Sequence, residues 1–292
     1  MKTLWIVQSN MNEDAFGALA DAVSSSMREL LPVRVIPFDT ELPTKLRAMT
    51  SNYPRSVRLT ASFSAVPALT PADLGPMVVY GSTNFVEKVR NSPRFRSAVF
   101  HDPERFRWSE TNKHWPMLNV DFVKTTIGDF PKEKWGEYVF VRPDLDLKQF
   151  SGEVVASSDF ARRMSEVSAG GFLFDESCEI IVSTPKRFYS EWRLFVVDGK
   201  VASGSRYRWC SRRSISGQVP DAVISFAESM ARIYSPAPVF ALDICSVGFT
   251  EDFSTLRVVE ANCFNSSGFY AADVKEIVAR VSEHVEGNFR CP

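Results

Sequence analysis

The chain has little of what several common protein chemistries require. Its 292 residues include only three histidines, and neither His101 nor His114 stands at a metal-ligand spacing from another histidine or a cysteine. The five cysteines form no CxxC pair, and an odd number of scattered thiols is typical of free cysteines in a reducing compartment. This pattern indicates neither a metal cluster nor a disulfide framework.

The sequence also lacks signals for export, for a membrane and for nucleic acid. The opening MKTLWIVQSNMNED has too short an apolar segment for a signal-peptide core, and no run approaches the roughly 18 apolar residues of a membrane span. The formal net charge is −1, so there is no basic surplus of the kind that neutralises nucleic-acid phosphates. We expect a cytoplasmic protein without membrane or nucleic-acid partners.

Two common nucleotide-binding signatures, GxxxxGK[ST] and GxGxxG, are missing as well. What is present is an ordinary globular composition, 45% hydrophobic and 24% charged, in a chain long enough for two to three lobes. The chain opens with a strand at 3–7, a helix whose apolar residues run from Phe16 to Leu30 before Pro32 stops it, and a strand at 33–38. This β-α-β order predicts an N-terminal α/β domain.

The most informative stretch runs from residue 239 to residue 268 and reads as two apolar strands joined by a polar loop. Asp243 interrupts the first strand, whereas Glu260 and Asn262 share one face of the second because strand side chains alternate with a period of two. If the strands pair as a hairpin, these three oxygen-bearing side chains converge, and a hard divalent cation such as Mg²⁺ would satisfy them. The alternative is that Asp243 and Glu260 pair with nearby arginines or face water.

The spacing Asp243 to Glu260-x-Asn262, followed by the loop NSSG, resembles the metal-binding end of the ATP-grasp ligases. The resemblance implies an α+β / α/β fold in which two α+β lobes clamp ATP behind an N-terminal α/β domain. It places the N-terminal domain at 1–92 and the ATP-grasp domain at 93–292, with lobes at 93–180 and 181–292. In that family the acidic pair and the asparagine hold magnesium against the ATP phosphates.

A second stretch, YVFVRP at 138–143, resembles the family's phosphate-covering hairpin. Arg142 ends the strand, and Lys148 lies in the following loop. Arg142 stands where the family usually carries lysine, which resembles a minority branch found in phages and bacteria; the swap keeps the charge but changes the geometry. Taken alone, the stretch fits a solvated loop with an Arg–Asp pair equally well.

Further ATP contacts follow from the resemblance. The strand that ends at Val182 and Ser183 corresponds to the hinge whose backbone reads adenine. A strand predicted over 118–125 contains Lys124, one of several first-lobe lysines, with Lys132 and Lys134, that could meet ATP.

The segment EWRLFVVDGKVASGSRYR reads as two strands around an Asp198-Gly199 turn. Glu191, Arg193 and Arg206 match the family's ribose- or substrate-binding acid and its arginines near the transferred phosphate. Without the family, the segment reads as an edge hairpin with ordinary cross-strand charges. The basic residues between 206 and 213 either meet an acidic substrate or are merely solvated.

Together these motifs imply an ATP-dependent ligase that joins a small-molecule or peptide carboxylate to an amine through an acyl phosphate. The implied roles are catalytic for Arg193 and Arg206, ATP-binding for Lys124, Arg142, Lys148, Val182, Ser183 and Glu191, and Mg²⁺-binding for Asp243, Glu260 and Asn262. Two alternatives stay open. One is a kinase-like phosphotransferase of the same fold, and the other is a nucleotide-binding protein with a degenerate site.

Overall fold

The computed structural model describes residues 2–9, 13–34, 46–48, 60–61, 75–92, 95–131, 134–147, 149–169, 175–210 and 212–289. The chain divides into two compact units, each built from separate segments. The first unit comprises Met1–His101, Ala202–Gly204 and Phe264–Pro292, and the second comprises Asp102–Val201 and Ser205–Cys263. The C-terminal residues therefore pack with the N-terminal segment, whereas the lobe boundaries given above stay a prediction.

The strands and helices follow one another in a mixed order. The strands are β1 Leu4–Gln8, β2 Glu29–Arg34, β3 Leu46–Ala48, β4 Thr60–Ala61, β5 Met77–Tyr80, β6 Val123–Thr126, β7 Tyr138–Pro143, β8 Glu153–Ala156, β9 Glu179–Ser183, β10 Phe188–Val197, β11 Lys200–Trp209, β12 Arg212–Ser216, β13 Val239–Val247 and β14 Leu256–Cys263. The helices are α1 Glu13–Ser25, α2 Thr83–Arg90, α3 Pro103–Phe106, α4 Trp108–Thr111, α5 Phe160–Ala169, α6 Asp221–Ile233 and α7 Val274–Asn288. In the described parts of the chain, no helix combines the length and the apolar character that crossing a membrane would require.

The first unit contains a five-stranded sheet in the order β4-β3-β2-β1-β5, in which β1 runs parallel to both β2 and β5. The predicted β-α-β opening is confirmed, but the predicted end of the helix was wrong. The helix ends at Ser25, and Leu30 and Pro32 lie in β2. Met27 adopts a φ of 55°, and Arg28 N–H donates to the carbonyl of Val23, so a Schellman motif closes the helix before its apolar spacing runs out.

The second unit contains a four-stranded antiparallel sheet in the order β6-β9-β7-β8. One face packs on α5 through an apolar core that includes Val139, Val141, Val182, Phe160 and Met164. The strand predicted over 118–125 is shorter than expected, because β6 covers only Val123–Thr126. Residue 118 instead donates its backbone N–H to the carbonyl of residue 258, which draws this part of the chain away from the sheet.

The second unit also contains a five-stranded antiparallel sheet in the order β12-β11-β10-β13-β14. The predicted turn between β10 and β11 is confirmed, with φ of 48° at Asp198 and 76° at Gly199. The edge-hairpin interpretation of this segment was wrong, because β10 lies in the middle of the sheet between β11 and β13. Its residues therefore lie beside β13, which carries Asp243.

Candidate functional site

The three predicted metal ligands converge on β13 and β14. Asp243 lies directly opposite Glu260 in the ladder, and a register shift follows immediately after this pair. Asn262 Nδ2 donates to Glu260 Oε1 at 3.0 Å and to Asp243 Oδ2 at 3.3 Å. Asp243 and Asn262 are fully buried, whereas Glu260 keeps part of its side chain exposed.

Both carboxylates also pair with arginines, as the alternative interpretation of the sequence expected. Arg193, opposite Asp243 on β10, holds both of its oxygens through Nε at 2.8 Å and Nη2 at 2.7 Å. Arg142 Nη2 lies 2.7 Å from Glu260 Oε2. Each oxygen of the two carboxylates thus lies beside a guanidinium or an amide donor, so the buried charges are compensated.

A third acid, Glu191, lies near enough to this pair for the charges of Asp243 and Glu260 to act on it. Glu191 is 4% exposed, and burial raises its pKa to about 7, with the negative charge of Asp243 as the next contribution. Its ion pair with Arg208 Nη1 is long, at 3.6 Å. Glu191 therefore exchanges its proton near neutral pH, unlike an ordinary surface glutamate.

Tyr207 belongs to the same site and was missed by the sequence reasoning. Its hydroxyl donates to Asp243 Oδ2 at 3.2 Å, and the guanidinium of Arg193 lies 5.7 Å from its ring centroid. Burial raises the pKa of Tyr207 well above its usual value, with Asp243 contributing next, so the hydroxyl stays protonated. The only sequence signal was its place between Arg206 and Arg208, which does not reveal which way the ring points.

The two arginines predicted to be catalytic have different surroundings. Arg193 is committed to Asp243 by its two hydrogen bonds. Arg206 Nε is buried and has no hydrogen-bond partner among the described residues, and its guanidinium carbon lies 5.6 Å from the ring centroid of Trp209. Of the two, Arg206 is the one with donor capacity left for an anionic ligand.

Predicted phosphate-binding cations lie on one face of the four-stranded sheet. Lys124 and Arg142 are both directly opposite Ile181, so they flank it on the same side. Lys124 Nζ contacts Glu179 Oε1 at 2.8 Å and Asp144 Oδ2 at 3.0 Å. Burial acts to lower the pKa of Lys124, but these two acceptors raise it overall, so its charge is firmly held.

Two of the lysines predicted to meet ATP, Lys132 and Lys148, lie outside the described residues. The sequence reasoning also missed the acids that hold Lys124. Asp144 is almost fully buried and accepts hydrogen bonds from the Ser109 backbone and from Arg107 Nη1 at 3.0 Å. Only the fold brings these residues beside Lys124.

The predicted hinge strand ends where expected, at Ser183. Val182 packs in the apolar core opposite Val141, whereas Ser183 is buried with its Oγ lacking a hydrogen-bond partner in the described part of the chain. Beyond it, Thr184 and Lys186 both contact Asp121. The backbone N–H of Thr184 also donates to Asp121 Oδ2, at 3.3 Å, and the adenine-reading role of this strand end stays a prediction.

The oxygen donors suit a hard cation in chemical type. The described residues contain no group of three or more His, Cys, Asp or Glu side chains arranged as a metal site. The predicted set has two carboxylates and one amide, and magnesium typically uses one or two carboxylates together with substrate phosphates. The residues therefore fit magnesium bound jointly with a nucleotide better than an all-protein metal cage.

The sequence itself decides the family. A family model described as ATP-grasp domain, R2K clade family 2, matches residues 117–280, more than half of the chain. The chain belongs to this ATP-grasp family. The match covers every described residue for which the sequence predicted a role in the site, from Lys124 to Asn262. Among curated proteins, no relative matches this ATP-grasp protein by sequence.

Solved structures of ATP-grasp proteins resemble this ATP-grasp protein along nearly its whole length. A Chryseobacterium gregarium RiPP-associated ATP-grasp ligase, in complex with ADP and a leader and core peptide, matches with a TM-score of 0.57 at 10% identity over 99% of this chain and 97% of its own. D-cycloserine synthetase DcsG gives 0.55 at 10% identity over 97% and 99%. A RimK domain ATP-grasp protein from Sphaerobacter thermophilus DSM 20745 gives 0.51 at 12% identity over 97% and 96%.

At 10% to 12% sequence identity, likeness to a solved structure shows only that the fold is shared. The predicted membership of the ATP-grasp superfamily and the predicted ATP-grasp fold of mixed helices and sheets are both confirmed. The roles of individual residues stay predictions.

Proposed function

We propose that this ATP-grasp protein is an ATP-dependent ligase that joins a carboxylate to an amine. The observation that carries the proposal is the meeting of Asp243, Glu260 and Asn262 beside Arg142, within the family match. Oxygen ligands for a cation and an arginine for phosphate are the parts that phosphoryl transfer from ATP requires, because its catalysis rests mainly on positioning and charge stabilisation. The similar solved structures carry the names of ligases and a synthetase, which agrees with this class.

The reaction divides into two balanced steps. A carboxylate oxygen of the substrate attacks the γ-phosphorus of ATP, the bond to the bridging oxygen breaks, and ADP leaves with the electron pair. An amine then attacks the carbonyl carbon of the acyl phosphate, the C–N bond forms, phosphate leaves and the nitrogen loses a proton. Bound magnesium, held by Asp243, Glu260 and Asn262, would offset the charge of the phosphates.

The chain's own residues supply the remaining functions. Arg142 and Lys124, on one sheet face, bind phosphate oxygens, and Arg206 binds the transferring group or the substrate carboxylate. Arg193 orients the Asp243 carboxylate by its two-pronged contact. Because Arg142 is paired with Glu260 in this structure, binding of nucleotide requires that pair to exchange for phosphate and cation.

Thermal unfolding with and without Mg-ATP tests nucleotide binding first. A ligand that binds only the native state stabilises it by about 2.7 kcal/mol at one hundred times its dissociation constant, so the wild-type midpoint should rise by several degrees. Asn262→Ala should remove most of this rise, whereas Asn112→Ala, an amide outside the site, should keep it. No rise for the wild type at millimolar ATP would overturn the proposal.

Product analysis then separates the proposed ligase from its alternatives. ADP release that requires both a carboxylate and an amine identifies a ligase, and Glu260→Ala should abolish it while leaving the fold intact. A stable phosphorylated product formed without amine identifies a phosphotransferase instead. Nucleotide binding without any ADP release over a broad screen of amino-acid and peptide pairs identifies a degenerate site.

A further inference from the structure

The β11–β12 hairpin carries a concentration of positive charge at the end where β11 finishes and β12 begins, without matching negative charge. Arg208 lies directly opposite Arg213, and the neighbouring pair is Trp209 opposite Arg212. Like charges directly opposite each other across two strands destabilise a sheet. A hairpin with this arrangement gains stability when an anion lies between the guanidinium groups.

The described residues place little negative charge beside these arginines. Over the described ranges, neither Arg212 nor Arg213 has an ion-pair partner within 4.0 Å, and both are exposed. Arg208 reaches only Glu191, at 3.6 Å, among the described acids.

The same end of the hairpin has the features of a peptide-binding edge. β12 is the last strand of its sheet among the described residues and pairs only with β11, so its outer N–H and C=O groups are available to another strand. Two large apolar side chains are exposed there, Trp209 at 43% and Ile215 at 44%. We call Trp209 together with β12 the β12 edge.

The β12 edge is also connected to the proposed catalytic site. The guanidinium of Arg206 lies over the ring of Trp209, and its Nε is buried without a hydrogen-bond partner in the described chain. Arg212, opposite Trp209, lies on the sheet face that also carries Arg206, whereas Arg213 lies on the other face. On the first face, Arg212 and Trp209 lead from the exposed edge to the buried donor of Arg206.

We propose that the β12 edge binds an acidic peptide, the carboxylate substrate of the proposed ligase, as an added β-strand. This inference rests on the proposed function and names the substrate class of the same site. Strand addition gives affinity through main-chain hydrogen bonds, and alternate side chains give specificity. Because Arg212 and Arg213 lie on opposite faces of β12, glutamate side chains on either face of such a strand would each meet one arginine. Apolar side chains would pack on Trp209 on one face and on Ile215 on the other.

Two other roles for the arginines of the β12 edge predict results that differ from those of peptide binding. Charges on an edge strand can serve only to prevent edge-to-edge aggregation, in which case removing them would promote association without affecting peptide binding. A general polyanion site would bind nucleic acid as well as peptide, although the net charge of −1 gives no wider basic surface for it.

The test is binding of a fluorescein-labelled hexapeptide with the repeat Glu-Glu-Val, which places glutamates on both faces of an added strand, followed by fluorescence anisotropy without nucleotide. Wild type should bind, and the double variant Arg212→Ala/Arg213→Ala should bind about tenfold or more weakly, because charged hydrogen bonds are lost. Arg232→Ala removes an exposed arginine of α6 and should bind as wild type does. Equal binding by wild type and the double variant would overturn the proposal.

Three competitor ligands sharpen the result. A lysine–valine peptide should not compete, and a peptide N-methylated at alternate backbone nitrogens should compete poorly because strand pairing needs those N–H groups. A short oligothymidylate that competes as well as the acidic peptide would replace the proposal with a general anion site. Free glutamate that competes equally would replace it with a small-acid site.

The Mg-ATP thermal shift keeps this proposal separate from the proposed function. The double variant should retain the full shift, since Arg212 and Arg213 are not among the proposed nucleotide contacts, and this result also shows that it is folded. A retained shift with unchanged peptide binding contradicts only the β12 edge. A wild type without any shift contradicts the ligase function.

Discussion

At the scale of single residues, the site is defined by how buried charges are compensated. Asp243 has no exposure to solvent, and its carboxylate is surrounded by donors: Arg193 contacts both oxygens, and Tyr207 and Asn262 donate to Oδ2. Removing one donor from such a group leaves a buried charge less compensated, which costs more than the hydrogen bond alone contributes. The stability of the second unit therefore depends on residues that the proposed chemistry also uses.

Tyr207→Phe tests this dependence with the smallest structural change. It deletes only the hydroxyl that donates to Asp243 at 3.2 Å. Because hydrogen bonds to charged groups contribute about 1.5–3 kcal/mol, we expect a loss of about 2 kcal/mol in the free energy of unfolding. Urea titration of the protein without nucleotide measures this loss.

Tyr189→Phe is the matched control, since Tyr189 lies on the same sheet at a partly exposed position that does not contact Asp243. Its loss should stay within a few tenths of a kcal/mol, as is usual for surface substitutions. Equal losses in the two variants would show that the hydroxyl of Tyr207 does not support Asp243.

At the scale of elements, local sequence rules predicted where strands lie along the chain better than they predicted where the adjoining helix ends. The period-two pattern around Asp198 and Gly199 predicts both strands and the turn, because hairpin turns of this type require positive φ at both central residues. The same local reasoning placed the end of α1 wrongly, because the Schellman motif at Met27 overrides a helical apolar spacing that continues to Leu30. Apolar spacing alone does not distinguish the end of a helix from the start of a buried strand.

Gly199→Ala should destabilise the second unit by about 1–2 kcal/mol. Gly199 has a φ of 76°, where an L side chain brings its Cβ close to the backbone. Beyond its two chain neighbours, a Cβ there would meet no atom within 4 Å, so the cost is one of backbone conformation and not of packing. Thermal or urea unfolding measures it.

Gly136→Ala provides the comparison, because Gly136 is equally open and lacks a positive φ. It should be close to neutral or slightly stabilising, since alanine restricts the unfolded chain more than glycine does. A loss at Gly136 as large as that at Gly199 would contradict the conformational explanation.

At the scale of the whole molecule, each compact unit gathers distant parts of the chain. In the first unit the indole N–H of Trp5 donates to Ser282 Oγ at 3.0 Å, and Thr3 contacts Glu286. Trp5 and Ser282 are fully buried, so residues 277 positions apart share one core. The C-terminal helix is therefore a structural part of the unit that begins the chain.

Ser282→Ala should lower the stability of the first unit by about 1–3 kcal/mol, because it leaves the buried indole N–H of Trp5 without its acceptor. Unfolding followed by tryptophan fluorescence measures the change, and the Mg-ATP thermal shift of the proposed site should persist. Ser229→Ala is the control, since Ser229 is a helical serine of α6 whose described hydrogen bonds stay within its own helix. Similar losses for the two variants would show that the contact with Trp5 contributes nothing.

The sequence by itself determined the features that depend on neighbouring residues. Strand alternation and the spacing of Asp243, Glu260 and Asn262 suffice to bring these three side chains together, because a hairpin fixes which faces meet. The family resemblance added Arg142, and Lys124 as one of three candidate lysines. These residues carry the family resemblance, and the family match includes all of them.

Only the tertiary structure decided which partners those residues have. The pairing of Arg193 with Asp243 and of Arg142 with Glu260, the hydroxyl of Tyr207 beside Asp243, and the acids around Lys124 all join separate strands. Such contacts depend on strand order and register, which distant parts of the chain set together. A one-dimensional pattern specifies the faces of its own strands, whereas their neighbours follow from the packing of the whole unit.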